Sequence, residues 1–100
     1  MQVKLIMSWD IKQNRDQDYF EFVVREFAPG IARLGLQPTE AWFTVFGKRP
    51  QIMMGGVTED FQTMKTMLAT KEWGELHERL MQYVTNYQQK IIRSGPNFPL

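Results

Sequence analysis

The stretch TEAWFTVFGKRPQIMMGGVT, residues 39–58, reads as two strands joined by a turn at Gly47–Pro50. Side chains alternate across a strand, so Ala41, Phe43 and Val45 share one face of the first strand and Trp42, Thr44 and Phe46 the other. Both faces are therefore apolar or aromatic, where a sheet with one wet face would alternate apolar with polar. The helices of a 100-residue chain can cover one face only. A second copy of the chain is the expected cover for the other. The bulkier Phe43 set is assigned to the helices and the set Trp42, Thr44 and Phe46 to the dimer interface. On the return strand, Gly55-Gly56 marks a bulge or a close approach by another group.

Upstream, Val3–Asp10 reads as a strand with Val3, Leu5, Met7 and Trp9 on its helix-covered face and Lys4, Ile6, Ser8 and Asp10 on a mixed one. A helix is expected over Asp16–Leu34, with Asn14 as N-cap and Gln17 as its capping-box partner. Phe20, Val23, Phe27, Ile31 and Leu34 form its apolar stripe, and Glu21 with Arg25 a surface pair. Pro29 removes a backbone donor and crowds the preceding turn, which predicts a bend; Gly35 is the left-handed stop.

Downstream, Thr58 is the expected cap of a second helix with the stripe Phe61, Met64 and Leu68. A break at Ala69–Lys71 is recapped by Thr70. Trp73, Leu76, Leu80 and Val84 then continue at helical spacing, Glu75 pairs with Arg79, and Gly74 is a candidate for close packing. Thr85–Arg93 closes as an edge strand, and Ser94–Leu100 is a tail, either free or pinned to a partner by Phe98. The order βαββαβ with right-handed crossovers gives an α+β, ferredoxin-like sandwich. It has a four-stranded antiparallel sheet with two helices on one face and dimerises through the sheets. Residues 1–93 form a single domain and 94–100 the tail.

Composition narrows the function classes. With 43% hydrophobic and 23% charged residues the chain is an ordinary globular protein, and a net charge of +1 gives no electrostatic case for nucleic acid or an anionic membrane. There is no cysteine, so disulfides and thiolate metal sites are excluded. No apolar run reaches the ~20 residues that span a bilayer, and the start MQVKLIM lacks the marks of a signal peptide, so a cytoplasmic protein is expected. Asp16 and Asp18 suit a helix N-terminus better than a metal, and no cofactor motif is present.

The strand ending Trp9-Asp10-Ile11, the helix with Phe27-Ala28-Pro29-Gly30, the run from Lys71-Glu72-Trp73 through Leu76, Leu80 and Tyr83-Val84, and the strand Tyr87–Ile92 together resemble the dimeric α+β barrel superfamily. That group includes NIPSNAP-like and antibiotic biosynthesis monooxygenase-like proteins. The resemblance spans residues 3–93 and implies a homodimer. It also admits cofactor-free oxygenases, isomerases and haem-degrading enzymes. The haem-degrading members use an Asn on the first strand with a Trp and a His. Here that strand carries Met7, Ser8 and Trp9, so those roles do not carry over.

Among single residues, His77 is the candidate catalytic base, one helical turn from Trp73; the plainer reading is a half-exposed ring stacked on that tryptophan. Met7, Trp9, Phe27, Phe43 and Trp73 would line a ligand pocket between sheet and helices, or else fill the core. The reading that follows is a homodimeric protein binding a small apolar or aromatic molecule, with no reaction identifiable. A cofactor-independent monooxygenase or isomerase acting on an aromatic or polyketide-like substrate is the alternative the resemblance implies, and a structural or regulatory interaction domain is the other.

Overall fold

The computed structural model describes residues 1–44 and 51–93. The turn Gly47–Pro50, with Val45 and Phe46, and the tail 94–100 lie outside the described residues. The elements are β1 (Val3–Ile11), α1 (Asp16–Phe22), a π-helical segment (Val23–Phe27), α2 (Ala28–Arg33), β2 (Gln37–Phe43), β3 (Ile52–Thr58), α3 (Phe61–Leu68), α4 (Lys71–Leu80) and β4 (Val84–Arg93). The four strands form an antiparallel sheet in the order β2-β3-β1-β4. This is the ferredoxin-like arrangement, with the central strands β1 and β3 apolar and both edges far more polar or exposed.

The register of β1 explains the core. Leu5, Met7 and Trp9 stand opposite Gly56, Met54 and Ile52 on the helix-covered face. They pack against Phe22, Phe27, Ile31, Met64 and Leu80. Burial of this kind contributes roughly 1.5–3 kcal/mol for each large apolar side chain. Gly56 lies where a Cβ would come within 2.6 Å of buried Leu36, so close approach is the reason for that glycine. Opposite Gly55, the β2–β3 register shifts between Pro38 and Glu40, so the glycine pair serves both a bulge and a close contact.

The long helix continues through Pro29, which stands in the first turn of α2 just after the π-helical segment, but its first half is phased differently from the expected stripe. Phe20 is exposed and Tyr19 and Phe22 are buried instead. The cause is the π-helical segment, which inserts an extra residue so that the inward positions Phe22 and Phe27 are five apart. A stripe extended backwards from Phe27 at 3.6 residues per turn therefore lands on the wrong residue. Gly35 ends the helix at φ +99°; its N–H donates to Ala32 O (3.1 Å) and the Leu36 N–H to Ile31 O (3.0 Å). That is a Schellman ending.

Other local expectations are corrected. Asn14 is a left-handed turn residue (φ 65°) and no side chain caps α1. Asp60, not Thr58, caps α3 by accepting the Thr63 N–H at 2.7 Å; Thr58 ends β3 and its hydroxyl donates to Asp60 O. Val84 opens β4 opposite Ile11, since α4 stops at Leu80. Arg79 pairs with Glu26 across the helices and Glu75 with Lys71, which removes the Glu75–Arg79 pair. Gly74 has open space around it; the close-packing glycine is Gly30, whose Cβ would meet Leu76 at 2.6 Å. Thr70 does recap α4, accepting the Trp73 N–H at 3.1 Å, and Glu21 pairs with Arg25 at 3.3 Å.

Candidate functional site

Two places hold the chemistry-bearing residues, one on each face of the sheet. On the covered face an aromatic rank runs from core to surface. The Trp9 indole N–H donates to the Tyr19 hydroxyl at 2.9 Å. Trp9 stacks on Tyr87 with centroids 5.8 Å apart, and His77 meets Tyr87 edge-on at 4.6 Å. Trp73 lies 5.9 Å from His77 on α4. Strand β1 supplies Trp9, β4 supplies Tyr87 and α4 supplies His77, so three elements converge on one stack.

Burial sets the protonation states. The Tyr19 phenol is pushed up to about 12 by desolvation, against a smaller pull down from the Trp9 hydrogen bond, and desolvation raises Tyr87 as well. Both phenols stay neutral at physiological pH. His77 is held below its ordinary value by burial alone. Its ring is therefore neutral and able to accept a proton, but its contacts are aromatic edges and no hydrogen-bonded acid among the described residues orients it.

The expected pocket residues separate into two groups. Trp9 and Phe27 are 0% exposed, which leaves no room for a water molecule against either ring, and Met7 and Trp73 are also buried. Phe43 points to the covered face opposite Ile52 but is 52% exposed at the sheet edge, where its ring lies 6.4 Å from Phe20. The structure thus brings Trp9, Trp73 and His77 into one stack and leaves Phe43 apart from it. Tyr19 and Tyr87 complete the stack and were not among the residues expected there. The spacing Phe22 to Phe27 is the trace of Tyr19 in the sequence, readable only once a π turn is admitted, whereas Tyr87 arrives through the pairing of β4 with β1.

The other face of the sheet carries no helix. Lys4, Ile6 and Ser8 of β1 stand there with Met53, Gly55 and Val57 of β3, Glu40 and Trp42 of β2, and Gln88, Lys90 and Ile92 of β4. Lys4 Nζ bonds Glu40 Oε1 at 2.6 Å in the space that Gly55 leaves. Asp10 accepts the Gln51 N–H at 2.9 Å and the Asn86 amide at 3.0 Å, and so fixes the β1–β4 bulge that falls between Ser8 and Asp10. A hollow of about 320 Å³ opens between β1, β3 and β4, lined by Ile6, Ser8, Met53, Gln88, Gln89 and Lys90. Of the expected interface residues, Trp42 is on this face opposite Met53 and 54% exposed. Thr44 is half-buried with its N–H on Gln51 O at 2.7 Å, and Phe46 is outside the described residues.

Among the described residues no group of three His, Cys, Asp or Glu is placed to hold a metal ion. Among the same residues no helix is long and apolar enough to cross a membrane.

Similarity to known proteins is found in three dimensions. A NIPSNAP family protein from Agrobacterium tumefaciens superposes with a TM-score of 0.73 at 14% identity, covering 100% of this chain and 99% of its own. What they share is the fold. An ethyl tert-butyl ether D (EthD) family protein from Bacillus halodurans gives 0.75 at 18% identity over 95% of this chain and 100% of its own. SnoaB, a cofactor-independent oxygenase from Streptomyces nogalater, gives 0.69 at 15% identity over 99% and 98%. No protein-family model matches the chain, and no curated relative does. The NIPSNAP-like resemblance expected from the sequence therefore holds at the level of fold.

Proposed function

We propose that the protein is a homodimer, its two sheets meeting through their helix-free faces, and that it binds a small apolar or aromatic molecule. The observation that supports this is the composition of the helix-free face. Ile6, Met53 and Ile92 are partly exposed on it, set diagonally across the strands with Lys4, Ser8 and Lys90 between them, and Trp42 stands exposed at its rim. Apolar side chains left open on one face of a small sheet favour an interaction surface. Under a twofold axis, the commonest symmetry of small oligomers, the same face of each copy would meet the other.

Binding is placed ahead of catalysis because the aromatic stack around His77 is filled and His77 lacks an orienting acid among the described residues. Light scattering after size exclusion tests the dimer. The expected mass is twice the 11.8 kDa of the chain, falling to the single value when Trp42→Glu places a charge in the interface. A wild-type protein that stays at 11.8 kDa at tens of micromolar ends this reading.

A further inference from the structure

Two lysines of the sheet stand on the helix-free face, and among the described residues only one of them has an ion-pair partner. Lys4 is committed to Glu40, and none of the ion pairs among the described residues includes Lys90. Lys90 stands opposite Ile6 on β4, at the wall of the 320 Å³ hollow. The hollow is lined by two apolar residues, Ile6 and Met53, and four polar ones, Ser8, Gln88, Gln89 and Lys90, of which Ser8 is only 8% exposed. Its volume is of the size that holds small ligands, and a few convergent polar groups beside apolar ones are the usual make-up of such sites.

We propose that this hollow binds a small molecule with an apolar body and one anionic group, such as a carboxylate. The body lies on Ile6 and Met53, and the anion is held by Lys90 with donors from Ser8 and Gln88. The inference rests on the face-to-face dimer. A second sheet laid over this one removes water from Lys90, and a desolvated ammonium needs an anion beside it. The second copy brings the same face. Its Glu40 is held by Lys4, and its Asp10 accepts the Gln51 N–H and the Asn86 amide at the bulge. A bound anion is the counterion proposed; an ion pair with Asp10 of the second copy is the competing outcome, and in that case Lys90→Gln leaves the anionic probe unaffected.

The probe is 8-anilino-1-naphthalenesulfonate, an apolar aromatic anion, set against its neutral relative N-phenyl-1-naphthylamine, by fluorescence titration of the intact chain. Lys90→Gln is expected to weaken the anion by about tenfold or more, as loss of a charge-assisted contact does. Lys90→Arg restores it to within about threefold, and the neutral probe binds all three proteins within about twofold. Phe43→Ser, which removes the exposed ring beside Phe20, leaves the anion's affinity unchanged. The inference is overturned if Lys90→Gln leaves the anion unaffected, if it weakens both probes equally, or if Phe43→Ser abolishes the signal. Light scattering on the same samples separates the two readings. A monomeric wild type removes the dimer and the reason for a counterion with it, whereas a dimer with an insensitive anion titration removes the ligand class alone.

Discussion

Strand β1 presents Leu5, Met7 and Trp9 to one side and Lys4, Ile6 and Ser8 to the other, so one short segment builds two surfaces of opposite kind. The first is closed by the chain itself. Its side chains are fully buried, its polar atoms are few, and the one indole N–H finds the Tyr19 hydroxyl. The second is apolar in patches but interrupted by an ion pair, a hollow and an ammonium with no ion-pair partner among the described residues. The difference teaches where stability resides and where recognition does. A covered face tolerates no charge, while a face that must meet another molecule keeps charges as registration points.

The comparison breaks most readily at the tryptophans. Trp9→Ala empties the middle of the core and strands the Tyr19 hydroxyl and one face of Tyr87. It is expected to lower the free energy of unfolding by about 3–5 kcal/mol in urea titration. Trp42→Ala, at the rim of the helix-free face, should change the stability of a single chain by no more than about 0.5 kcal/mol. Equal losses at the two positions would show that the faces are not divided as described.

That division was legible in the sequence for the central strands and much less so elsewhere. The alternation in Val3–Asp10 placed Trp9 inside because period-two patterning is robust to small shifts of boundary. The phase of α1 was not legible. A π turn changes the count by one residue without any change of composition, and Phe20 and Tyr19 are equally plausible inward residues until it is seen. The aromatic stack was half visible: Trp73 and His77 are four apart on one helix, whereas Tyr87 reaches them only through the pairing of β4 with β1. The hollow was invisible, because Ile6, Met53 and Lys90 become neighbours only when three separate strands are in register.

The adjacent glycines offer a finer comparison, since Gly55 faces the helix-free side and Gly56 the covered one. A Cβ at 56 would sit 2.6 Å from Leu36 Cγ, in a side chain with no room to move. Gly56→Ala should cost about 1–3 kcal/mol, as overpacking a core does. A Cβ at 55 would meet Glu40 Oε1 at 2.8 Å and Thr39 Oγ1 at 3.0 Å, both on the edge strand. These side chains can swing aside at the expense of the Lys4–Glu40 contact, so Gly55→Ala should cost about 1 kcal/mol or less. Thermal melts of the two variants decide the order, and a reversed order would make the helix-free face the rigid one.

The smallest expected effect tests that ion pair directly. The hydrogen bond from Lys4, and then that from Thr39, hold the Glu40 carboxyl below its ordinary value of 4.5. A carboxyl whose folded value is depressed binds its proton more weakly in the native chain than in the unfolded one. Its stabilisation is therefore complete above pH 4.5 and is lost as the pH falls through the folded value. Glu40→Gln should flatten that part of the acid limb, by about 1 kcal/mol or less in a monomer, where water still reaches the pair. His77, also depressed, loses its contribution as the pH falls below 6.5, but that is common to both proteins and cancels in the difference. In the dimer a second sheet would exclude water from the Lys4–Glu40 pair, and removing one partner from a covered pair costs more. The difference between wild type and Glu40→Gln at neutral pH should accordingly be larger in the dimer than in the Trp42→Glu background. If the two backgrounds give the same difference, the Lys4–Glu40 pair lies outside whatever interface the protein forms, and the contact between copies must be sought on another surface.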